Sequence, residues 1–157
     1  MAGAGLLVVV FTAAAGTTAS DAACARWRSA FTDMPTRNVV VDAAGRRLVW
    51  PVKVADTRER RAAGFQCATA EEIDRTRILF DFGTEVLTRF HMRNVPAPLE
   101  IGFAKGDGRI FAILRMDPSP TALYGPLEPF RYALEARLDF FGSEGIRAGN
   151  AQLIPNQ

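Results

Sequence analysis

Histidine occurs once in the 157-residue chain, at position 91, and cysteine only at 24 and 67. A single imidazole excludes a metal site built from several histidines, and cysteines this far apart make no close pair of metal ligands. Lysine is nearly absent: Lys53 and Lys105 are the only two, and arginine supplies the rest of the basic charge. The formal net charge of +2 is too small for a nucleic-acid-binding surface, which needs a clustered basic face. There is no Gly-x-Gly-x-x-Gly turn and no Gly-x-x-x-x-Gly-Lys phosphate loop. The Gly-x-Ser-x-Gly elbow that presents a hydrolase serine is missing as well. No cofactor and no metal are therefore expected, and no partner nucleic acid.

Hydrophobic residues make up 48% of the chain and charged residues 23%, the balance of an ordinary folded domain. A chain of this length hides roughly 68–70% of its unfolded surface, enough for one core without staples.

Residues 1–23 read as a leader peptide. Gly5 to Phe11 form an apolar run, too short for a bilayer-spanning helix of about 20 residues. Small residues from Thr12 to Ser20 follow, with cleavage expected near Ser20 or Ala23. The usual basic start is missing, since no Lys or Arg precedes Arg26; the competing reading of Leu6–Phe11 is a buried first strand. The leader implies a periplasmic or secreted protein with no integral membrane segment in the mature chain. Asp21, three residues before Cys24, stands where a lipobox needs an apolar residue, so Cys24 is not read as a lipid anchor. In an oxidising compartment Cys24 and Cys67 can pair. Two buried free thiols, or loss of Cys24 with the leader, remain open.

Residues 24–36 read as a linker or loosely docked arm, and 37–157 as one β-rich domain. Val39–Val41 and Arg46–Val54 are β-rich runs around a turn at Ala43–Gly45. Pro51 lacks an amide donor, which makes its strand an edge or bulged one. Asp56 with Glu59 forms a capping box for a helix over Thr57–Phe65 closed by Gly64. Thr69 with Glu72 opens a second short helix. Strands are expected at Ile78–Phe82, Val86–Met92, Leu99–Phe103, Arg109–Met116, Phe130–Ala136 and Ala151–Ile154. A Lys-Gly-Asp-Gly turn joins the third and fourth of these. Proline-rich Asp117–Pro129 reads as a long loop, and Arg137–Phe141 as a turn or short helix. About seven short strands with one or two short helices and no βαβ alternation predict a mainly β fold, a sandwich or partly closed barrel.

The polar set His91, Arg93 and Asn94 sits in an apolar stretch before Pro96, Pro98 and Glu100. A strand ending in these groups can place them at a sheet rim as a ligand pocket, Arg93 or His91 meeting an anion. The competing reading has His91 satisfying a backbone carbonyl and Asn94 bracing the turn. Glu100, Asp117 and Glu135 are carboxylates in or beside strands; two of them could converge as acid and base, or all could be exposed strand-end charges.

The segment Ala55–Asp56–Thr57–Arg58–Glu59–Arg60–Arg61–Ala62–Ala63–Gly64 resembles the opening block of the domain of unknown function 192 family. Ile78–Phe82, Phe90–His91–Met92–Arg93–Asn94 with Pro98–Leu99–Glu100 and Phe103, Asp107–Ile110, and Tyr132, Leu134–Glu135 with Gly145–Gly149 match its later blocks in order. The resemblance runs from about Val39 to Leu153 and implies a mainly β domain, often exported, with no established activity. This chain departs from the pattern at His91, where the family has Trp, and at Glu100, where it has Asp. It departs again at Arg77–Ile78, in place of Gly-Met, and at Phe65–Gln66, in place of Leu-Met. The resulting expectation is a monomeric, non-catalytic envelope module that binds a small polar ligand, a glycan or another envelope protein. Two alternatives stand beside it: a hydrolase using His91 with a nearby carboxylate, and a docking partner engaged through the edge near Pro51.

Overall fold

The computed structural model describes residues 19–154. The greater part of the expected leader lies outside them. The described chain is a strongly curled seven-stranded sheet, with a two-stranded ribbon and four short helices. Strand order across the main sheet is β6-β5-β8-β3-β2-β1-β9. Its members are β1 (Thr36–Ala43), β2 (Arg46–Ala55), β3 (Ile78–Val86), β5 (Leu99–Ala104), β6 (Ile110–Met116), β8 (Phe130–Arg137) and β9 (Ala151–Ile154). Neighbours are antiparallel except β2 and β3, which run parallel because the helical crossover α2 (Arg58–Ala63) and α3 (Ala70–Arg75) lies between them.

The two outer strands meet at one corner. The amide of Leu153 donates to the Gly108 carbonyl at 2.8 Å, and that of Gly149 to Ile110 at 2.8 Å. Arg109 bridges to Gln152 beside them. The sheet is thus a partly closed barrel. Gly108 is required there: its φ is +87°, and an added Cβ would sit 1.9 Å from the Leu153 carbonyl oxygen.

Alternation along the strands makes two cores, because successive side chains leave opposite faces. Val39, Val41, Val52, Leu79, Leu134 and Leu153 fill the inside of the curl, with the Phe140 and Phe141 rings of α4 (Phe140–Ser143) packed among them. Ile78, Phe80, Leu99, Ile101, Phe103 and Ala133 face outward, under the helices. The cleft described below lies on this second face.

Residues 24–36, expected as a linker or loosely docked arm, lie mostly in a helix that docks on the domain. α1 (Ala19–Thr32) buries Ala30 and Phe31, with Trp27 partly buried beside them and Met34 just past its end. That i, i+3, i+4, i+7 spacing is the helical signal in the segment. Two further ties hold α1. Cys24 and Cys67 are bonded to each other with Cα atoms 5.5 Å apart. The Arg28 guanidinium donates to both Glu72 carboxylate oxygens at 3.0 Å.

Smaller differences have local reasons. The cap of α2 is Thr57, whose hydroxyl accepts from the Arg60 amide, while Asp56 pairs with the Arg60 guanidinium at 2.7 Å. The Thr69–Glu72 capping box of α3 forms as expected. Pro51 lies in a strand flanked on both sides, but β2 meets β3 only over Lys53–Ala55. The Val54 amide turns to Pro35 and the Lys53 amide to Arg77, so the Pro51 nitrogen faces the β3 side before pairing begins. No ladder bond is lost. The expected strand Val86–Met92 shrinks to β4 (Phe90–His91), which pairs with β7 (Leu123–Tyr124) inside the proline-rich loop.

Candidate functional site

A cleft of about 270 Å³ opens on the outward face of β8 and β3, beneath α2 and beside β4. Glu135 reaches it from the centre of the sheet, opposite Ile78 of β3 and Ile101 of β5. Its parity on β8 matches that of Ala133, which fixes it to the helical face. The residue is only 5% exposed, and burial alone pushes its carboxyl up to about 8. No hydrogen bond or opposite charge among the described residues offsets that burial. Gly64 ends α2 directly over the carboxyl: a Cβ there would lie 3.7 Å from the Glu135 Oε2 and 3.5 Å from the Phe80 ring.

Phenyl rings form the walls. Phe80 and Phe90 meet edge to face at 5.1 Å, and Phe82 and Phe90 at 6.4 Å, so each ring braces the next. Gln66 is buried in the wall; its Nε2 donates to the Ala62 carbonyl at 2.7 Å and its Oε1 accepts from Asn94 at 3.3 Å. Arg58, Arg61 and Arg89 complete the lining. The Arg61 guanidinium stacks on Phe82 and donates to the carbonyls of Asp56 at 2.7 Å and Asp81 at 3.0 Å. Arg58 and Arg89 are exposed and enter none of the ion pairs among the described residues.

His91 also lines the cleft, half-buried, with its Nδ1 enclosed and making no hydrogen bond. Burial first and Arg93 second hold its pKa below the usual imidazole value, and its own backbone offsets this in part. Two polar groups of the cleft therefore lean to neutrality: a carboxyl that keeps its proton and an imidazole that does not take one up.

The four candidate residues do not share one pocket. His91 lines the cleft just described. Arg93 and Asn94 line a neighbouring hollow with Met92, Pro118 and Ser119, joined to the first through Val95. Asn94 has φ +58°, and its carbonyl accepts from the Cys67 amide at 2.7 Å, so it braces the turn into the cleft wall. Glu100 points to the opposite face of the sheet, where its Oε2 accepts from the Phe141 amide at 3.1 Å and steadies α4. Asp117 sits in the loop beyond β6, paired with Arg115 at 2.7 Å.

Of the candidate carboxylates only Glu135 joins His91. Its signal in the sequence is the run Tyr132–Ala136, where one charged residue interrupts a continuously buried strand. The phenyl walls and Gln66 carry no such mark, because they converge from separate segments. Among the described residues there is no group of three or more His, Cys, Asp or Glu placed to hold a metal ion. No described helix is long and apolar enough to cross a membrane.

Two solved structures share this architecture. One, from Sinorhizobium meliloti 1021, is described as a candidate transcription regulator; it aligns at 26% identity with a TM-score of 0.70, over 77% of this chain and 94% of that one. The other, a protein of unknown function from Novosphingobium aromaticivorans DSM 12444, aligns at 24% identity with a TM-score of 0.67, over 76% and 85%. The second likeness is one of fold alone. None of the curated proteins matches the chain. The family model for DUF192, described as Uncharacterized ACR, matches residues 39–153, which include most of β1 through most of β9 and every residue lining the cleft. The chain belongs to the DUF192 family.

Proposed function

We propose that this protein is an exported, non-catalytic module that binds a small polar ligand in the cleft over Glu135, in the periplasm or outside the cell. One observation carries the reading: a carboxyl almost fully buried in the sheet centre, with no protein partner, opens onto a cleft. An unpaired buried polar group lowers stability by about 1–3 kcal/mol relative to a satisfied one. Packing would be better served by Leu or Met, so a ligand is the natural partner. The Cys24–Cys67 disulfide supports export, since such bonds persist in oxidising compartments.

A thermal-shift screen of sugars, organic acids, amines and metal salts tests this. A true ligand raises the melting temperature of the wild type and not of Ala62→Trp, which fills the cleft from an exposed helical position. At one hundred times its Kd, a ligand adds about 2.7 kcal/mol. A screen in which every hit acts equally on both proteins would sink the reading. For export, the native leader fused to a reporter active only outside the cytoplasm should give activity.

A second reading, a hydrolase using His91 with Glu135, is favoured by their presence in one cleft with opposed tendencies: one holds a proton and the other is free to accept one. It requires turnover of ester or glycoside substrates that His91→Gln abolishes while the unfolding midpoint stays put. A substrate panel with no turnover by the wild type eliminates it.

A further inference from the structure

The lining of the cleft is graded from mouth to floor, and the gradient names a ligand. Arg58 and Arg89 are exposed at the rim, while Arg61 beside them is engaged by two backbone carbonyls. Phe80, Phe82 and Phe90 form the apolar walls. Glu135 is the most deeply buried polar side chain of the lining. We propose that the cleft selects a small rod-shaped acid, its anionic group between Arg58 and Arg89, its flat apolar body among the phenyl rings, and a hydrogen-bond acceptor at its far end taking a bond from the Glu135 carboxyl. This rests on the reading of the cleft as a binding site and specifies its ligand class.

Other classes fit less well. An amine would pass three arginines and then require an ionised Glu135, against the burial that raises that carboxyl's pKa. A sugar needs many hydrogen-bond partners around its ring, and the phenyl walls leave it few beyond the His91 Nδ1 and Glu135. An anion bound at the floor would meet an acceptor-rich carboxyl with no cation behind it. Size agrees with the proposal. A cavity of about 150 Å³ already admits benzene, so 270 Å³ accommodates a ring carrying one substituent at each end. Guanidinium groups hold a carboxylate or phosphate by paired bonds, which suits the rim to the charged end. Glu135 is buried in the cleft with no partner, and burial raises its carboxyl to about 8, which favours the protonated form as donor to the far end.

Three para-substituted probes separate the elements: 4-acetylbenzoate, 4-ethylbenzoate and 4-acetylbenzylamine, titrated at pH 7 by amide chemical shifts and calorimetry. The acetyl acid should bind best, with shifts centred on the residues lining the cleft. Loss of its acceptor in the ethyl acid should weaken binding about tenfold, the worth of one hydrogen bond to a buried donor. The Arg58→Ala/Arg89→Ala variant should weaken both acids and strengthen the amine. Glu135→Leu should erase the preference for acetyl over ethyl, and Glu135→Gln, which keeps a donor, should retain it.

Affinity of the wild type for the acetyl acid should fall as pH rises past about 8. It should stay level in Glu135→Gln, because the other charged or titratable groups of the lining are Arg58, Arg61, Arg89 and His91. An amine that binds as well as the acid, or equal affinity for the two acids, overturns the ligand class while leaving the cleft a binding site. Absence of binding by all three also overturns the class; the cleft reading then stands or falls on the Ala62→Trp comparison.

Discussion

Glu135 keeps a proton that an unfolded chain would release. Its folded pKa of about 8 stands above the ordinary 4.5, so between those values the native state holds more protons than the unfolded one. Stability therefore falls as pH rises from about 4.5 to about 8, by at most about 1.4 kcal/mol per unit, and is unaffected by this group outside that window. Glu135→Gln should flatten this part of the curve and be the more stable protein at pH 8. Urea unfolding of both at pH 5, 6.5 and 8 measures it; parallel curves would mean that Glu135 is ionised in the fold. Gly108 is the second residue-scale constraint. Gly108→Ala collides with the Leu153 carbonyl and strains a φ of +87°, and should cost at least about 2 kcal/mol. Amide exchange should rise at Gly149 and Leu153, whose bonds close the barrel. Unchanged protection there would show that the backbone accommodates the methyl.

Among the elements, α1 depends most on ties made outside itself. Glu72 serves both as the capping-box residue of α3 and as the partner of Arg28 on α1. Hydrogen bonding by Arg28, then by Thr69, lowers its pKa from 4.5 to about 2. The sign follows: the stabilisation is complete above about 4.5 and disappears as pH falls toward 2. Glu72→Gln, whose amide oxygen can still close the capping box, should cost up to about 1 kcal/mol at pH 7 and little at pH 2, the size of a half-exposed ion pair. A deficit that persists undiminished at pH 2 would assign the effect to packing.

The helices also show where local chemistry is legible. The starts of both capped helices could be read within a residue, because a cap is a contact between neighbours in sequence. α1 is written just as locally, in Trp27, Ala30, Phe31 and Met34, yet its proximity to the apolar N-terminal run masks the periodicity. The β4–β7 ribbon is two residues long on each side, below what any pattern can carry.

At the scale of the molecule, the mainly β class and the blocks from Val39 to Leu153 were legible, with sandwich and partly closed barrel both left open, and the family model matches the same span. The closing corner was not, because Gly108 and Leu153 are brought together by seven strands of accumulated twist rather than by any motif. The cleft was half legible. His91 was found because it is the only imidazole. Glu135 stood among three carboxylates, and only the sheet's two faces separate it from Glu100: residues on alternate sides of neighbouring strands look alike in sequence until the register is known.

Pro51 bears on solubility. Along the first half of β2 one side faces no paired strand, and bare strand backbone recruits other chains into aggregates. With no amide to donate and its nitrogen turned to that open side, Pro51 denies an incoming strand a bond there, and the partly exposed Lys53 adds charge two residues on. Pro51→Val should leave the chain folded, since no native ladder bond depends on this position, but should shorten the lag before light scattering rises in a concentrated, agitated solution. An unchanged lag would show that the gap beside β2 is already closed to strangers by its neighbours.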